Sequence, residues 1–408
     1  MNLVVFEDSN ADGFYPLSVS HPVFELLYGC YNVIDRLNRY YQPENIFLIC
    51  RNYLADIAKQ KYGFPVNDFS DLKDDCLLVN ASLKPNTQVY NNLLSAELNT
   101  AFFNGDNVLI GARLSADVLN TFPIDEFTKL RGNLSSGIQK VETNARVFKH
   151  LWDLVNFNAE AINFDLNYIG KFSEWSANTS AYDFGDKAYI HPLAEVPKSA
   201  FIDTSNGPVI IDNGAVIEPR TLIQGPVYIG KKSKALAGII REGCSIGPVC
   251  KVGGELEETI ILGHSNKAHE GFIGHAYIGE WVNLGALTTN SDLKNNYSEI
   301  VVRLNGVDVS TGSVKVGCYI GDHTKTGIGT TLNTGIAIGF CCNLYGGALF
   351  LNKEIGHFKW GTPSELTGFK LDKAVELAKK VMSRRNMEFT SADENLFKEI
   401  YKLDKKQN

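Results

Sequence analysis

The sequence has no surplus of positive charge. Acidic side chains number 46 against 39 basic ones, a formal net charge of −7. That argues against nucleic acid or an anionic membrane as the main partner. No apolar run approaches the ~20 residues needed to span a bilayer, so no membrane segment is expected. None of the eight cysteines (Cys30, Cys50, Cys76, Cys244, Cys250, Cys318, Cys341 and Cys342) belongs to a CxxC pair. Most lie in apolar runs, which favours buried, reduced thiols in a cytoplasmic protein over a zinc site or a disulfide framework. The opening residues lack a basic start and meet Glu7 and Asp8 too early for a signal peptide. Nor does any Arg or Lys occur between Met1 and Arg36. A phosphate bound near the N-terminus would therefore depend on backbone amides or a metal.

What is present fits a globular protein: 44% hydrophobic and 21% charged residues. A chain of 408 residues is long for one core, so two domains are expected. The 36 glycines concentrate after residue 185, which marks a change of architecture there.

Residues 1–150 alternate strand and helix patterns. LVVF (3–6), NIFLIC (45–50) and DCLLVNA (75–81) read as buried strands. Between them lie a helix predicted after Pro22, carrying Val23, Leu26, Leu27, Tyr31, Ile34 and Leu37, and another over 53–63 that ends at Gly63. This order predicts a parallel sheet covered by helices, a Rossmann-like α/β domain. Ligands of such sheets bind beyond the carboxyl ends of the strands, which points to loops 7–21 and 80–86. Segment 101–112 reads as a hairpin turning at NGDN, and 145–165 as a long helix closing the domain. The polar, aromatic stretch that follows reads as a linker.

From residue 189 the period becomes six. Ile211, Ile217, Ile223 and Ile229 keep it, as do Ile240, Ile246 and Val252, then Ile278 and Leu284, then Ile320, Thr326, Leu332, Ile338 and Leu344. One inward aliphatic every six residues, often followed by Gly, is the signature of a parallel β-helix. Charged, turn-rich residues 292–314 interrupt it and read as a hairpin excursion. Residues 371–387 and 391–403 carry apolar stripes at helical spacing and read as two helices packed on the β-helix. Within the repeat, His264, His269 and His275 fall close together. Spacings of five and six place them on different corners or on similar faces of successive turns, and no carboxylate pattern completes a metal site.

The stretch Ser265–Asn290 resembles the acetyltransferase half of the bifunctional N-acetylglucosamine-1-phosphate uridylyltransferase/glucosamine-1-phosphate acetyltransferase family. That family reads Ser-Lys-Ala-Gly-His, then Leu-Gly, then Val-Asn-Ile-Gly-Ala, then Asn-Tyr. Here the residues are Ser265-Asn266-Lys267-Ala268-His269, Ile273-Gly274, Val282-Asn283-Leu284-Gly285-Ala286 and Asn290-Ser291. The resemblance covers the whole architecture loosely and residues 240–345 best. It implies an α/β nucleotidyltransferase-like domain (1–170), a linker (171–188), a left-handed parallel β-helix acyltransferase domain (189–350) and a helical extension (351–408). It also implies His269 as the general base that takes a proton from an amino-sugar phosphate as its amine attacks acetyl-CoA, a task suited to a neutral imidazole. Asn283 would orient the site. Arg241, Asn290 and Lys294 would bind the sugar phosphate. Ala286, Gly321, Asp322 and Phe340 would line the CoA channel. Homotrimers with acetyl-CoA between adjacent chains are the family's usual assembly.

The departures narrow these expectations. The family tyrosine three residues beyond the base is Phe272, the tyrosine after the site asparagine is Ser291, and an expected lysine is replaced near Glu257 and Glu258. In the N-terminal half the Gly-rich phosphate loop is replaced by Phe6-Glu7-Asp8-Ser9-Asn10-Ala11-Asp12-Gly13. Asp8, His21 and Asn80, with Asp165 or the Gly105-Asp106 turn, are the candidates there for nucleotide and Mg²⁺. Three functions follow: a sugar-phosphate nucleotidyltransferase/acetyltransferase making a UDP-N-acetylglucosamine-like nucleotide sugar; a hexose-1-phosphate nucleotidyltransferase whose β-helix only assembles the oligomer; and a non-catalytic sugar-nucleotide-binding protein.

Overall fold

The computed structural model describes residues 1–121, 137–169 and 184–407. Most of the segment expected as a linker, 171–183, lies outside the described residues. Contacts group the chain into two compact units. One comprises Met1–Phe14, His21–Leu26 and Asn32–His150; the other comprises Tyr15–Ser20, Leu27–Tyr31 and Leu151–Asn408.

The first unit is built on strands β1 (Asn2–Phe6), β2 (Asn45–Ile49), β3 (Cys76–Asn80), β4 (Thr100–Phe103), β5 (Leu109–Leu114) and β6 (Gln139–Glu142). Their order across the sheet is β2-β1-β3-β5-β4-β6. β1 pairs in parallel with both β2 and β3, and β1 and β3 are buried along their whole length. That is why these runs are unbroken rather than alternating. β4 and β5 form the expected hairpin. The crossover helices are α1 (Val33–Tyr41) and α2 (Ala55–Tyr62), and α2 ends at left-handed Gly63 with φ 70°. The helix expected directly after Pro22 does not form. Val23–Glu25 makes one 3-10 turn, and α1 begins only at Val33. The Asn32 side chain caps it by accepting the Asp35 amide at 2.7 Å. Good periodicity upstream was outweighed by a strong N-cap nine residues beyond Val23.

The second unit is a parallel β-helix. Ile190, Ile211, Ile229, Ile246, Ile261, Ile278, Ile320, Ile338 and Ile355 stack in register along one nine-stranded sheet. Each is at most 2% exposed. A second column runs Ile223, Ile240, Leu256, Ile273. A third runs Ile217, Ala235, Val252 and then, unexpectedly, Lys267. Corners are made by left-handed residues that also stack: Val249, His264, Trp281, His323 and Cys341 on one edge, and Gly243, Glu258 and His275 on another. The interruption is the expected excursion, with an antiparallel hairpin of Val301–Leu304 and Val307–Ser310. Helices Leu371–Ser383 and Ser391–Gln407 follow.

The helix expected to close the first domain spans Leu151–Phe164 and groups with the β-helix unit. Its Asn158 is fully buried and ties a polar knot: Gly29 N donates to Asn158 Oδ1 at 2.6 Å, and Asn158 Nδ2 donates to Gly243 O at 2.8 Å. Ser245 Oγ donates to Gly29 O at 2.7 Å. All eight cysteines are buried and free of disulfides.

Candidate functional sites on the strand ends and on the histidine coil

Beyond the carboxyl end of β1, Glu7 is fully buried. Its carboxylate accepts Arg51 N at 2.6 Å and Arg51 Nε at 2.9 Å on one oxygen, and Arg51 Nη2 at 3.2 Å and Val23 N at 3.1 Å on the other. Arg51 comes from the end of β2. It is the cation that the local sequence lacked, and its charge is already met by Glu7. Asp8 and Asn80, both candidates for nucleotide and Mg²⁺, touch at the strand ends: Asn80 Nδ2 donates to Asp8 Oδ2 at 2.9 Å. Asn80 also binds Leu109 O and Ser82 N, so its amide is committed to the fold. His21 is buried on Glu25 at 2.8 Å, and Lys61 reaches the same carboxylate oxygen at 3.1 Å. Burial pushes Glu25 up, but Lys61 and His21 outweigh it and hold the carboxyl below its usual value.

The two other acidic candidates lie apart from Asp8 and Asn80. Asp165 is fully buried and accepts Cys30 N at 2.8 Å, within the other unit. Asp106 lies in the exposed β4–β5 turn, paired with Lys149 at 3.1 Å. Among the described residues no group of three or more His, Cys, Asp or Glu side chains is placed to hold a metal ion.

On the β-helix, the three histidines occupy three different corners, so they do not converge. His264 stacks on Trp281 with centroids 4.3 Å apart. His269 lies at the corner continued by Leu287 and Ala286 on the next coil. Its ring is exposed and makes no hydrogen bond among the described residues. Asn283 is exposed on the neighbouring face and accepts Asn266 Nδ2 at 3.3 Å. His275, on the third corner, carries a carboxylate: its Nδ1 is 2.9 Å from Asp292 Oδ2.

Several expected ligand residues are engaged within the chain itself. Asn290 is 2% exposed and clamps Gly274, accepting its N at 2.9 Å and donating to its O at 3.0 Å. Lys294 Nζ donates to Glu299 O at 2.6 Å inside the excursion. Arg241 is held by Glu255 at 2.6 Å, with Glu257 at 3.9 Å. Asp322 is buried, accepting Ser20 Oγ and Glu280 N, both at 2.8 Å. Phe340 is 1% exposed in an aromatic cluster with His323, Phe358 and Phe397. A side chain on Gly321 would strike Gly339 and Phe340 backbone, so that glycine serves coil stacking. Of the channel residues, Ala286 is left half-open to solvent at the His269 corner.

Lys267 escaped notice in the sequence although the repeat points to it. Six residues separate it from both Ile261 and Ile273, which places it inward. It is 1% exposed, and Nζ donates to Gly253 O at 3.3 Å, to Glu270 O at 3.2 Å and to His269 O. Burial lowers its ammonium to about 8. Its three donors therefore bind the carbonyls of the corner that displays His269. Lys267→Met keeps the volume but strands those carbonyls, and should lower the unfolding free energy by ~1–3 kcal/mol. An unchanged denaturant midpoint would refute this role.

Fold and site define a two-part protein: an α/β unit whose sheet is mixed rather than parallel throughout, since β5 runs antiparallel to both β3 and β4, and a parallel β-helix of six-residue repeats. Residues 3–173 match the family model described as sugar nucleotidyl transferase. The chain is 29% identical over 246 residues to a bifunctional sugar-1-phosphate nucleotidylyltransferase/acetyltransferase of Sulfurisphaera tokodaii, covering 56% of this chain and 58% of that one. It is 27% identical over 175 residues to the bifunctional protein GlmU of Syntrophomonas wolfei, covering 34% and 38%. Among solved structures, the UDP-N-acetylglucosamine acyltransferase of Francisella novicida aligns with TM-score 0.29 at 14% identity, over 54% of this chain and 77% of that one. The chain thus spans little more than half the length of the first of these curated relatives and less of the second. In those stretches it is similar to proteins named bifunctional sugar-1-phosphate nucleotidylyltransferase/acetyltransferase and GlmU.

Proposed function

We propose that the chain acts on sugar phosphates with both halves: nucleotidyl transfer at the ends of β1 and β3, and acetyl transfer from acetyl-CoA to an amino-sugar phosphate on the coil 266–292. The observation that carries this reading is the joint presence, in one chain, of the Asp8–Asn80 strand-end pair and a β-helix coil displaying histidines at its corners. The relative from Sulfurisphaera tokodaii, whose name carries both activities, supports it. The product would be a UDP-N-acetylglucosamine-like nucleotide sugar. The resemblance assigns proton acceptance to His269 and implies a cytoplasmic homotrimer. Mg²⁺ for nucleotidyl transfer would be held with the nucleotide's phosphates, with Asp8 the candidate side chain at the strand ends.

A second reading is favoured by one observation for the first unit alone. Glu7 neutralises Arg51 where a nucleotide's phosphates would need a cation, which suits a sheet that binds a sugar nucleotide without transferring it. Two assays separate the readings: thiol release from acetyl-CoA with glucosamine-1-phosphate, and pyrophosphate release from UTP or dTTP with sugar-1-phosphates. Thiol release without pyrophosphate release is the expected result if the strand-end site only binds. No thiol release with any amino-sugar phosphate would sink the acetyltransfer reading.

A further inference from the structure

We propose that Arg385, in the turn after the first C-terminal helix, is a positioning residue for the His269 coil. Acting through Asn266, it sets the hydrogen-bonding polarity of Asn283, so that Asn283 offers the ligand a donor and not an acceptor. The inference rests on the acetyltransfer reading above. Three contacts carry it. Arg385 Nη2 donates to Asn266 Oδ1 at 2.8 Å, and Arg385 Nη1 donates to Val249 O at 3.3 Å. Asn266 Nδ2 donates to Asn283 Oδ1 at 3.3 Å. The two asparagines face one another from successive coils, bridged through their backbones.

Two facing amides can pair either way round, since each has an oxygen that accepts and a nitrogen that donates. Left alone, the Asn266–Asn283 pair has no preferred polarity. A guanidinium carries donors only, so Arg385 draws the Asn266 oxygen to itself and turns the nitrogen away. That nitrogen then needs an acceptor, and Asn283 meets it with Oδ1. Asn283 Nδ2 is the atom left over. It makes no hydrogen bond among the described residues, and Asn283 is exposed. Lys325 follows Asn283 on the next coil, but its ammonium is committed to Trp281 O and His323 O, both at 2.8 Å. The cation that decides the polarity is therefore Arg385.

The helical extension is built to deliver that cation. Arg385 N and Met387 N both donate to Met382 O, at 2.9 and 3.1 Å, and Asn386 between them is left-handed at φ 56°. Ala374, Ala378 and Met382 form the buried face of the helix before the turn. The helix after it sets Phe397 against His323 and Phe340, with centroids 5.0 and 4.8 Å apart. Asn266 stands where the family stretch has lysine. A lysine there would itself aim a donor at Asn283. In this chain the cation comes from 119 residues further along, and the Asn266 amide relays it.

An outward amide nitrogen suits an oxygen without a hydrogen, such as the ring or phosphate oxygen of an amino-sugar phosphate. It offers nothing to a protonated amine, whose hydrogens are all donors.

The test measures thiol release from acetyl-CoA with glucosamine-1-phosphate in the full chain, with KM for acetyl-CoA as the control and circular dichroism to check each fold. Asn266→Asp puts an acceptor-only group on the relay. Its carboxylate stays paired with Arg385, which keeps the coil folded, but it turns Asn283 Nδ2 inward and Oδ1 outward. KM for glucosamine-1-phosphate should rise at least ~tenfold, the loss of one hydrogen bond with a polar group left unmatched, with kcat and KM for acetyl-CoA little changed. The rise should persist in ~0.5 M salt, which screens simple charge repulsion. Asn266→Lys/Arg385→Ala places a donor-only cation directly on Asn283 Oδ1 and should stay within ~threefold of wild type. A KM unchanged in Asn266→Asp, a rise abolished by salt, an equal rise in KM for acetyl-CoA, or an equal loss in Asn266→Lys/Arg385→Ala overturns the inference while the acetyltransfer reading stands. No thiol release from wild type overturns both.

Discussion

Arg51→Ala should destabilise the first unit by ~3–5 kcal/mol, the cost of stranding a buried charge. Glu7 is fully buried, and three of its four hydrogen bonds come from Arg51: backbone N, Nε and Nη2. The backbone N survives the substitution, but both guanidinium contacts go. Water reaches the site poorly, because burial surrounds it on every other side. The Arg51 guanidinium also donates to Tyr53 OH at 3.2 Å and His21 O at 3.2 Å, so the loop holding His21 loosens as well. The intact pair is not in itself evidence of a large net gain, since desolvating two charges offsets most of their attraction. The double variant Glu7→Gln/Arg51→Ala should therefore be more stable than Arg51→Ala alone. Urea unfolding of the two proteins decides it. If the single variant matches wild type, Glu7 is not the isolated buried anion described here.

Above pH 9 the β-helix should lose stability steeply and unfold near pH 10–11, well before a typical surface would fail. Cys250, Cys318, Cys341 and Cys342 are pushed up to about 12 by burial, and Cys244 is pushed up for the same reason. An unfolded thiol ionises near ~8.5. Between these values the unfolded chain has lost its thiol protons and the folded chain has kept them. Each such group then costs ~1.4 kcal/mol per pH unit. The sign is that of an acid whose folded pKa is raised: its stabilisation is complete below the unfolded pKa and lost as pH rises. Lys267 and Lys325 act oppositely, since burial lowers both to about 8. Their charged form is penalised in the fold, so they add stability between ~8 and ~10.4. The thiols outnumber the lysines, so the net slope above pH 9 is negative by several kcal/mol per unit. Between pH 8 and 9 the unfolded thiols begin to ionise near ~8.5 and the two lysines offset only part of that loss, so Tm should fall gently. Buried Tyr228, Tyr277 and Tyr319 reinforce the loss at higher pH. Melting curves from pH 7 to 11 provide the test, and a Tm unchanged at pH 11 would contradict it.

Four of the expected ligand positions share one physical setting. Asn290, Asp322, Phe340 and Gly321 carry the letters expected of ligand contacts, yet each is spent on coil stacking or on the aromatic cluster. A letter at a motif position does not report which way the side chain points when a tight corner can turn it inward. Arg51 shows the converse. It lies 44 residues from Glu7 in sequence, and only the parallel pairing of β1 with β2 brings their ends together. Lys267 was legible from the six-residue register alone, because Ile261 and Ile273 fix its direction.

The sequence by itself determined the two architectures. Unbroken apolar runs required a sheet covered on both faces, parallel around β1, and one aliphatic every six residues required stacked coils, since both patterns are set by local periodicity and burial; the antiparallel strands that make the sheet mixed were not foreseen beyond the one hairpin. It also determined the excursion and the terminal helices. Tertiary structure alone decided the grouping of Tyr15–Ser20, Leu27–Tyr31 and Leu151–Phe164 with the β-helix. It alone decided, too, which histidine meets a carboxylate. His275 and Asp292 are 17 residues apart, one turn of the coil, and their contact depends on the pitch and corner angles of the assembled helix. Those are properties of stacking, which no single coil possesses before its neighbours are in place.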